Sequence, residues 1–456
     1  MFNIKTNSKK VLPGDTFVAI RGIRNDGHYY IEDAIKRGAK KIIAEEGEYS
    51  IPYEIVNNTR EYLNNYLSSN YNEEFNKIQI IGITGTNGKT TSAYLLSSAL
   101  NRIGHKCASI GTLGFYIDTK LVEGLENSTP DICDIYEFID EAIEEGCEYV
   151  VMEVSSHALT NGRVETLLFN HAIFTNLSED HLDYHVTLEN YVIAKQKLFK
   201  KLKSNGLAIV NIDDAVSSNF LFPMNHNLTY GYNENANFRI IDQKFMENET
   251  IFKFKYRNDT YQVYSKLLGK FNIYNVMPVI IFLLCIGTDP IIVLKTIYSL
   301  KSPKGRLEVI PYKNNRIIVD YAHNTAAIYQ VFEMIKQYNY NNCYVVFGCS
   351  GERDRVKRPH MTRLVSELSK YFIITEDDLY YEDFEQIKND MLLGLTNNNY
   401  DVIIDRREAI SKGISLLNDN DILLVLGKGH EEFLKIREKK IPFNDRNVVL
   451  DILAKK

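Results

Sequence analysis

Short apolar runs alternate with amphipathic stretches along most of this chain. Residues 16–20 form an apolar run behind the Pro-Gly-Asp turn at 13–15; residues 30–37 have helical spacing that stops at Gly38; residues 41–44 are apolar again. Together these predict a small α/β unit. Residues 71–76 are polar and read as a linker. An apolar strand at 78–82 leads into a glycine-rich loop and a helix over 90–103, which ends at Gly104. A further helix over 135–145 ends at Gly146, and buried strands are expected at 148–153 and 171–174. Strands alternating with helices predict a parallel, doubly wound sheet. The longest apolar run, 276–286, contains Pro278 and falls short of the ~20 residues of a membrane span, so it reads as a buried helix. Residues 301–305 (Lys-Ser-Pro-Lys-Gly) form a breaker-rich hinge, and beyond it strands are expected at 316–319, 343–347, 371–374, 402–404 and 422–426. The expected fold is α/β in three domains. These are a small N-terminal α/β domain (1–76), a central doubly wound sheet with a phosphate loop (77–303) and a Rossmann-like C-terminal domain (304–456).

Composition narrows the class. The net charge of −6 over 456 residues offers no broad basic surface, so nucleic acid is not an expected partner. Six cysteines stand without a CxxC pair or zinc-type spacing, which fits reduced thiols in the cytoplasm. The first residues lack an apolar signal core. A cytoplasmic chain with no membrane span, acting as a monomer on small molecules, is expected.

The candidate chemistry begins in the loop Gly82-Ile83-Thr84-Gly85-Thr86-Asn87-Gly88-Lys89-Thr90-Thr91. Successive backbone N–H groups at a helix N-terminus form an anion nest. Lys89 supplies a point charge to the phosphates and Thr90 a hydroxyl to Mg²⁺. The standard spacing has a glycine where this chain has Ile83; its glycines stand at 82 and 85. Glu153 ends an apolar strand and so places a hard oxygen ligand near the loop. His181 lies in a loop after a strand. Lys195, on helical pattern alone, is a surface lysine.

Residues 84–91 resemble the phosphate loop of the Mur ligase family. Later motifs follow in that family's order: 153–157, 175–183, 211–214, 269–275, 305–308 and 320–324. The likeness spans nearly the whole chain. Runs 153–157 with Arg163, 348–359, 405–410 and 427–431 resemble the tripeptide-synthetase branch. The resemblance implies an ATP-dependent ligase that activates a carboxylate as an acyl phosphate and joins it to an amine. It implies ATP contacts at Gly85, Thr86, Asn87, Gly88, Lys89, Thr90, Thr91, Asn272, Arg306 and Asp320. It implies two Mg²⁺ sites served by Thr90, Glu153, His181 and a carbamylated Lys195, with Lys197 as the competing register. Lys89, Glu153, His181 and Lys195 are the expected catalytic set.

For the acceptor, UDP-N-acetylmuramoyl-L-alanyl-D-glutamate, the resemblance implies Ser8, Asn127, Ser128, Thr129, Ser155, Asn161 and Arg163. Asn161 stands where relatives often have Gln, and the family's Asp-Ser-Arg uridine signature is here Asn7-Ser8-Lys9. For the incoming amino acid it implies Arg353, Asp377, Asp378, Tyr380, Gly427 and Glu431, with Arg353 forking the α-carboxylate. Diaminopimelate-adding relatives carry Asp-Asn-Pro-Arg where this chain has Asp377-Asp378-Leu379-Tyr380. Without that arginine a second carboxylate is disfavoured, and the acidic residues favour a basic amino acid such as L-lysine. Two other functions stay open: the same chemistry on another carboxylate in specialised metabolism, and a non-catalytic nucleotide-binding regulator.

Overall fold

The computed structural model describes residues 2–22 and 26–455. Strands Ile4–Lys5, Thr16–Val18, Lys41–Ala44 and Tyr53–Ile55 pair in parallel in chain order, with helix Ile31–Lys36 between the second and third. Helix Thr59–Tyr71 then joins this unit to the next. The stretch expected to be a linker is structured: helix Thr59–Tyr71 is followed by a 3₁₀ turn at Glu74–Lys77. The reason is aromatic anchoring. Phe75 is buried with its ring 4.8 Å from that of Tyr136, and Asn72 accepts a hydrogen bond from the Tyr136 hydroxyl at 2.8 Å. The polar residues between them face water, and their composition hid the anchors.

The central sheet has eleven strands among the described residues. Strand Gln79–Thr84 lies in its middle, between Phe169–Phe174 and Tyr149–Glu153, parallel to both. The loop after Thr84 therefore emerges beside the C-terminal ends of both neighbours, where open α/β sheets place their ligands. Helix Lys89–Arg102 covers one face, packed on helix Lys270–Cys285, which is buried along most of its length and carries Pro278 inside. The opposite face packs on helix Ile132–Glu144, which starts three residues ahead of the expected position because the Asp131 side chain caps it there. The sheet is mixed rather than purely parallel. Antiparallel hairpins extend both edges, through Phe238–Phe245, Thr250–Tyr256 and Asp259–Ser265 on one side and Gly114–Ile117 and Lys120–Glu123 on the other.

The third sheet runs in the order Glu308–Tyr312, Asn315–Asp320, Ile422–Leu426, Cys343–Phe347, Tyr371–Ile374, Tyr400–Val402, parallel except for its first strand. The last strand sits two residues earlier than the apolar run at 402–404. One face packs on helices Thr325–Ile335, Lys357–Leu368 and Phe384–Leu392, the other on Arg406–Leu416 and Asp445–Leu453. No helix among the described residues is long and apolar enough to cross a membrane.

Candidate active site

The phosphate loop is held open by glycine. Gly85 has φ +152° and Gly88, which precedes helix Lys89–Arg102, has φ +86°. A Cβ on Gly85 would collide with Thr175 Oγ1, and one on Gly88 with Asn275 Oδ1. Strand Phe169–Phe174 feeds a floor beneath the loop. Thr86 N–H donates to Asn176 O at 2.8 Å, and Asn87 N–H to Asn176 Oδ1 at 2.9 Å. Lys89 Nζ donates to Gly85 O and Thr86 O at 2.8 and 2.9 Å. Thr91 is buried in the first turn of the helix.

Lys195 is not a surface lysine. It is 1% exposed, and its Nζ donates to the same Gly85 carbonyl at 2.7 Å and lies 4.4 Å from the Tyr191 ring centroid. Burial, reinforced by the Lys89 cation, holds its pKa well below the ordinary lysine value. Burial lowers that of Lys89 as well. Lys197 is partly exposed and reaches only Leu159 O, at 3.4 Å.

Glu153 is equally buried. Its carboxylate accepts from Thr90 Oγ1 at 2.8 Å and from Thr112 N–H at 2.7 Å, with no cation paired to it among the described residues. His181 sits in the left-handed region, φ +57°, with its ring edge-on to His157 (4.8 Å) and to Tyr191 (6.2 Å). Burial keeps these imidazoles neutral: it lowers the pKa of His181, and takes His157 and His185 down to about 4. Neutral imidazole is the form that binds metal. His157, His185 and Tyr191 join this centre without a motif of their own in the sequence. The one available signal was His157 four residues beyond Glu153.

The third domain reaches into this centre. Arg306 Nη2 lies 3.4 Å from Thr90 Oγ1, and its guanidinium stacks on Tyr321, 4.4 Å from the ring centroid. Asp320 spends both oxygens on the backbone N–H groups of Leu307 and Ala322, each at 2.8 Å, and so shapes the turn that carries Arg306. Asn324 Nδ2 bridges Asn87 Oδ1 (3.3 Å) and Asp180 Oδ2 (3.2 Å). Asn272 stands behind the loop: its Oδ1 accepts from Asn275, the residue against Gly88.

The acceptor set divides. Thr129 Oγ1 donates to Glu153 O at 2.9 Å and accepts from Ser155 N–H, while Thr129 O accepts from Arg163 at 2.7 Å. Ser155 caps helix Ser156–Thr160, and Asn161 Oδ1 accepts from Tyr184. Asn127 is exposed and Ser128 partly so, in the loop leading to Thr129. Ser8 is buried in the 3₁₀ turn Ser8–Lys10 of the first sheet unit, whose Lys10 pairs with Glu123 and Asp134.

Three family models match in series: Mur ligase family, catalytic domain (residues 2–95), Mur ligase middle domain (83–283) and Mur ligase, glutamate ligase domain (305–429). The UDP-N-acetylmuramoyl-L-alanyl-D-glutamate–2,6-diaminopimelate ligase of Fusobacterium nucleatum is 38% identical over 98% of this chain and 92% of its own length. That of Clostridium perfringens is 36% identical over 100% and 95%. The chain belongs to the Mur ligase family. A solved ligase of the same name superposes with a TM-score of 0.68 at 30% identity, covering 100% of this chain and 95% of the other. The fold is shared further with MurF of Thermotoga maritima in complex with ADP, with a TM-score of 0.71 at 20% identity over 99% and 97% of the two chains. This Mur ligase is MurE-like: an ATP- and Mg²⁺-dependent, ADP-forming ligase of peptidoglycan synthesis.

In this Mur ligase the residues expected to hold the amino acid lie in one side-chain cluster, with an addition. Gly427 has φ +115°, and a Cβ there would lie 2.6 Å from Asp377 Oδ2. Asp377, Asp378 and Glu431 are not free carboxylates. Lys428, fully buried, donates to Asp378 Oδ1 at 2.6 Å and to Glu431 Oε2 at 2.5 Å, and lies 3.9 Å from Asp377. The three acids raise its pKa despite burial. Arg406, also buried, forks Asp445 through two bonds of 2.8 Å and pins the carbonyls of Leu426 and Glu376. Arg353 lies over the Tyr380 ring. Lys428 was passed over in the sequence although it stands inside the 427–431 run; lysine between two glycines reads as solvated until the acids around it are known.

Proposed function

We propose that the chain joins a basic L-amino acid, L-lysine or L-ornithine, to UDP-N-acetylmuramoyl-L-alanyl-D-glutamate, as a cytoplasmic monomer whose domains divide near residues 76 and 303. The observation that carries the chemistry is the convergence of Lys89 and Lys195 on Gly85 O, beside the Glu153–Thr90 pair. An acceptor carboxylate oxygen attacks the γ-phosphorus of ATP and ADP leaves. The amino-acid nitrogen then attacks the acyl carbon, phosphate leaves, and the nitrogen loses a proton. Lys89 and Arg306 offset charge on the transferring phosphoryl group.

The depressed pKa of Lys195 supports its carbamylation. The neutral amine adds carbon dioxide with loss of a proton, turning the buried amine into an anionic oxygen ligand. The oxygens of Thr90, Glu153 and that carbamate, with neutral His181, fit two Mg²⁺ ions, which supply charge neutralisation at the phosphoryl group. Asp320 serves the nucleotide indirectly, by shaping the Arg306 turn.

Charge supports a basic substrate. With Arg353 assigned to the α-carboxylate, Asp377, Asp378 and Glu431 face the ammonium groups of Lys428 and Lys435, the latter 3.9 Å from Asp378. Three acids outnumber the two lysines beside them, and burial together with Asp377 and Asp378 raises the pKa of Glu431, a strain that a side-chain ammonium would relieve. The second reading, meso-diaminopimelate, is favoured by the names of the relatives at 38% and 36% identity. The test is phosphate release with the acceptor, ATP, Mg²⁺ and L-lysine, L-ornithine or meso-diaminopimelate in turn. Turnover with the first two confirms the basic substrate. Turnover with diaminopimelate alone establishes the second reading, and release with none refutes the acceptor assignment.

A further inference from the structure

Loops 348–353 and 377–380 lie edge to edge. Gly351 N–H donates to Asp378 O at 2.7 Å, and Ser350 Oγ to Asp377 Oδ1 at 3.0 Å. A Cβ on Gly351 would collide with Leu379 O, so glycine permits the approach. Glu382 closes the same seam: its N–H donates to Leu379 O at 3.0 Å, and its carboxylate accepts from Glu352 N–H at 2.9 Å. Tyr380 is then pinned from the other side by the hairpin strand Phe433–Ile436. Its N–H donates to Lys435 O at 3.0 Å, and its carbonyl accepts from Arg437 N–H at 2.6 Å. Tyr380 has φ +51°, a costly region for an aromatic residue and one that persists only where the surroundings over-determine it. The outcome is a fixed ring flanked by two cations: the Arg353 guanidinium is 5.6 Å from its centroid, and Lys435 Nζ 5.8 Å.

We propose that Tyr380 is a positioning residue: its ring holds the Arg353 guanidinium ready for the α-carboxylate of the incoming amino acid. This rests on the reading of Arg353 as the carboxylate fork. A cation near an aromatic face is attracted by the ring quadrupole. An arginine at 380 would instead set a third cation between Arg353 and Lys435. Tyrosine thus does two things at once: it removes a carboxylate partner and steadies the one that is kept.

The test uses the full-length enzyme with Tyr380→Asn and Tyr380→Phe. Asparagine tolerates the left-handed backbone and removes the ring, so it leaves the fold intact or more stable while abolishing the brace. Two quantities are read: the rate at which phenylglyoxal modifies Arg353 in the ligand-free enzyme, followed by peptide mass spectrometry, and the steady-state constants. In Tyr380→Asn, Arg353 reacts severalfold faster, and the amino-acid KM rises about tenfold with kcat and the ATP KM within about twofold. Tyr380→Phe keeps the ring and loses only the hydroxyl, so its Arg353 reactivity stays closer to wild type than that of Tyr380→Asn. Unchanged Arg353 reactivity in Tyr380→Asn overturns the brace. An unchanged amino-acid KM, or a loss confined to kcat, overturns its part in recognition. If the unsubstituted enzyme turns over no amino acid, the proposed substrate class fails, while the modification rates still decide the brace.

Discussion

From Gly85 to Thr91, one uninterrupted stretch of chain sets both the shape and the charge of the phosphate loop. The cluster proposed to hold the amino acid draws Arg353, Asp377 with Tyr380, Arg406 and Lys428 from four separate segments of the third domain. The loop needs little beyond its own glycines and the strand beside it: Thr175 and Asn176 hold it through Asn87 O, Asn87 N–H and Thr86 N–H. The pocket needs mutual neutralisation, with Lys428 among three acids and Arg406 on Asp445. A charge-built site shifts its preference with a single substitution, and the difference in construction predicts how each fails.

The largest effect is expected at the loop. Lys195→Ala removes the anionic ligand proposed there and lowers kcat by about 10³-fold or more, as loss of a principal electrostatic group does. Added formate or acetate restores part of that activity by refilling the carboxylate position, while thermal unfolding changes little. A stable Lys195→Ala enzyme with wild-type kcat would erase the contrast on its catalytic side. Lys428→Met should do the reverse. It strands Asp378 and Glu431 in a buried site and costs about 3–5 kcal/mol of stability, the range for breaking a buried pair. A lowered Tm and urea midpoint check this; an unaltered Tm would mean that the pocket does not depend on Lys428.

Legibility in the sequence follows the same division. The order of strands and helices was readable because each carries its own periodicity, and the phosphate loop because its residues are contiguous. Lys195 was readable only through family resemblance, since its helix spacing alone placed it at the surface; the Gly85 carbonyl that receives it lies 110 positions away in sequence. The 71–76 segment reads as a linker because two anchors among polar residues, Asn72 and Phe75, leave no periodic trace. The edge hairpins between 238 and 265 escaped notice for a different reason. Phe238, Ile240, Phe252, Phe254 and Val263 do alternate with polar residues, but that signal competes with the stronger α/β pattern on either side. Lys428 needed the positions of three acids that only the folded chain brings together.

A middle-sized effect probes the seam on which the pocket rests. Gly351→Ala forces a methyl group against Leu379 O, backbone atoms with no flexible end to move. The loops must part, at a cost of about 1–3 kcal/mol typical of overpacking. The amino-acid KM should rise while the ATP KM holds, because among the described residues neither seam loop hydrogen-bonds to the phosphate loop. Isothermal titration with a non-hydrolysable ATP analogue and kinetics with L-lysine separate the two. Equal loss of both would show that the regions are coupled rather than independently built.

The smallest effect bears on register. Lys195 and Lys197 are two residues apart on helix Leu188–Lys200, a spacing that turns them about 200° from one another. One points under the phosphate loop; the other reaches Leu159 O and water. Lys197→Ala gives up one long, half-solvated hydrogen bond, so its effect on stability should stay within the ±0.5 kcal/mol usual for such sites, with kcat within about twofold. If Lys197→Ala instead silenced the enzyme and Lys195→Ala spared it, the carbamate would belong to the other face of the helix. The depressed pKa of Lys195 would then reflect burial alone, and the loop would be left without the ligand that sets it apart from an ordinary phosphate nest.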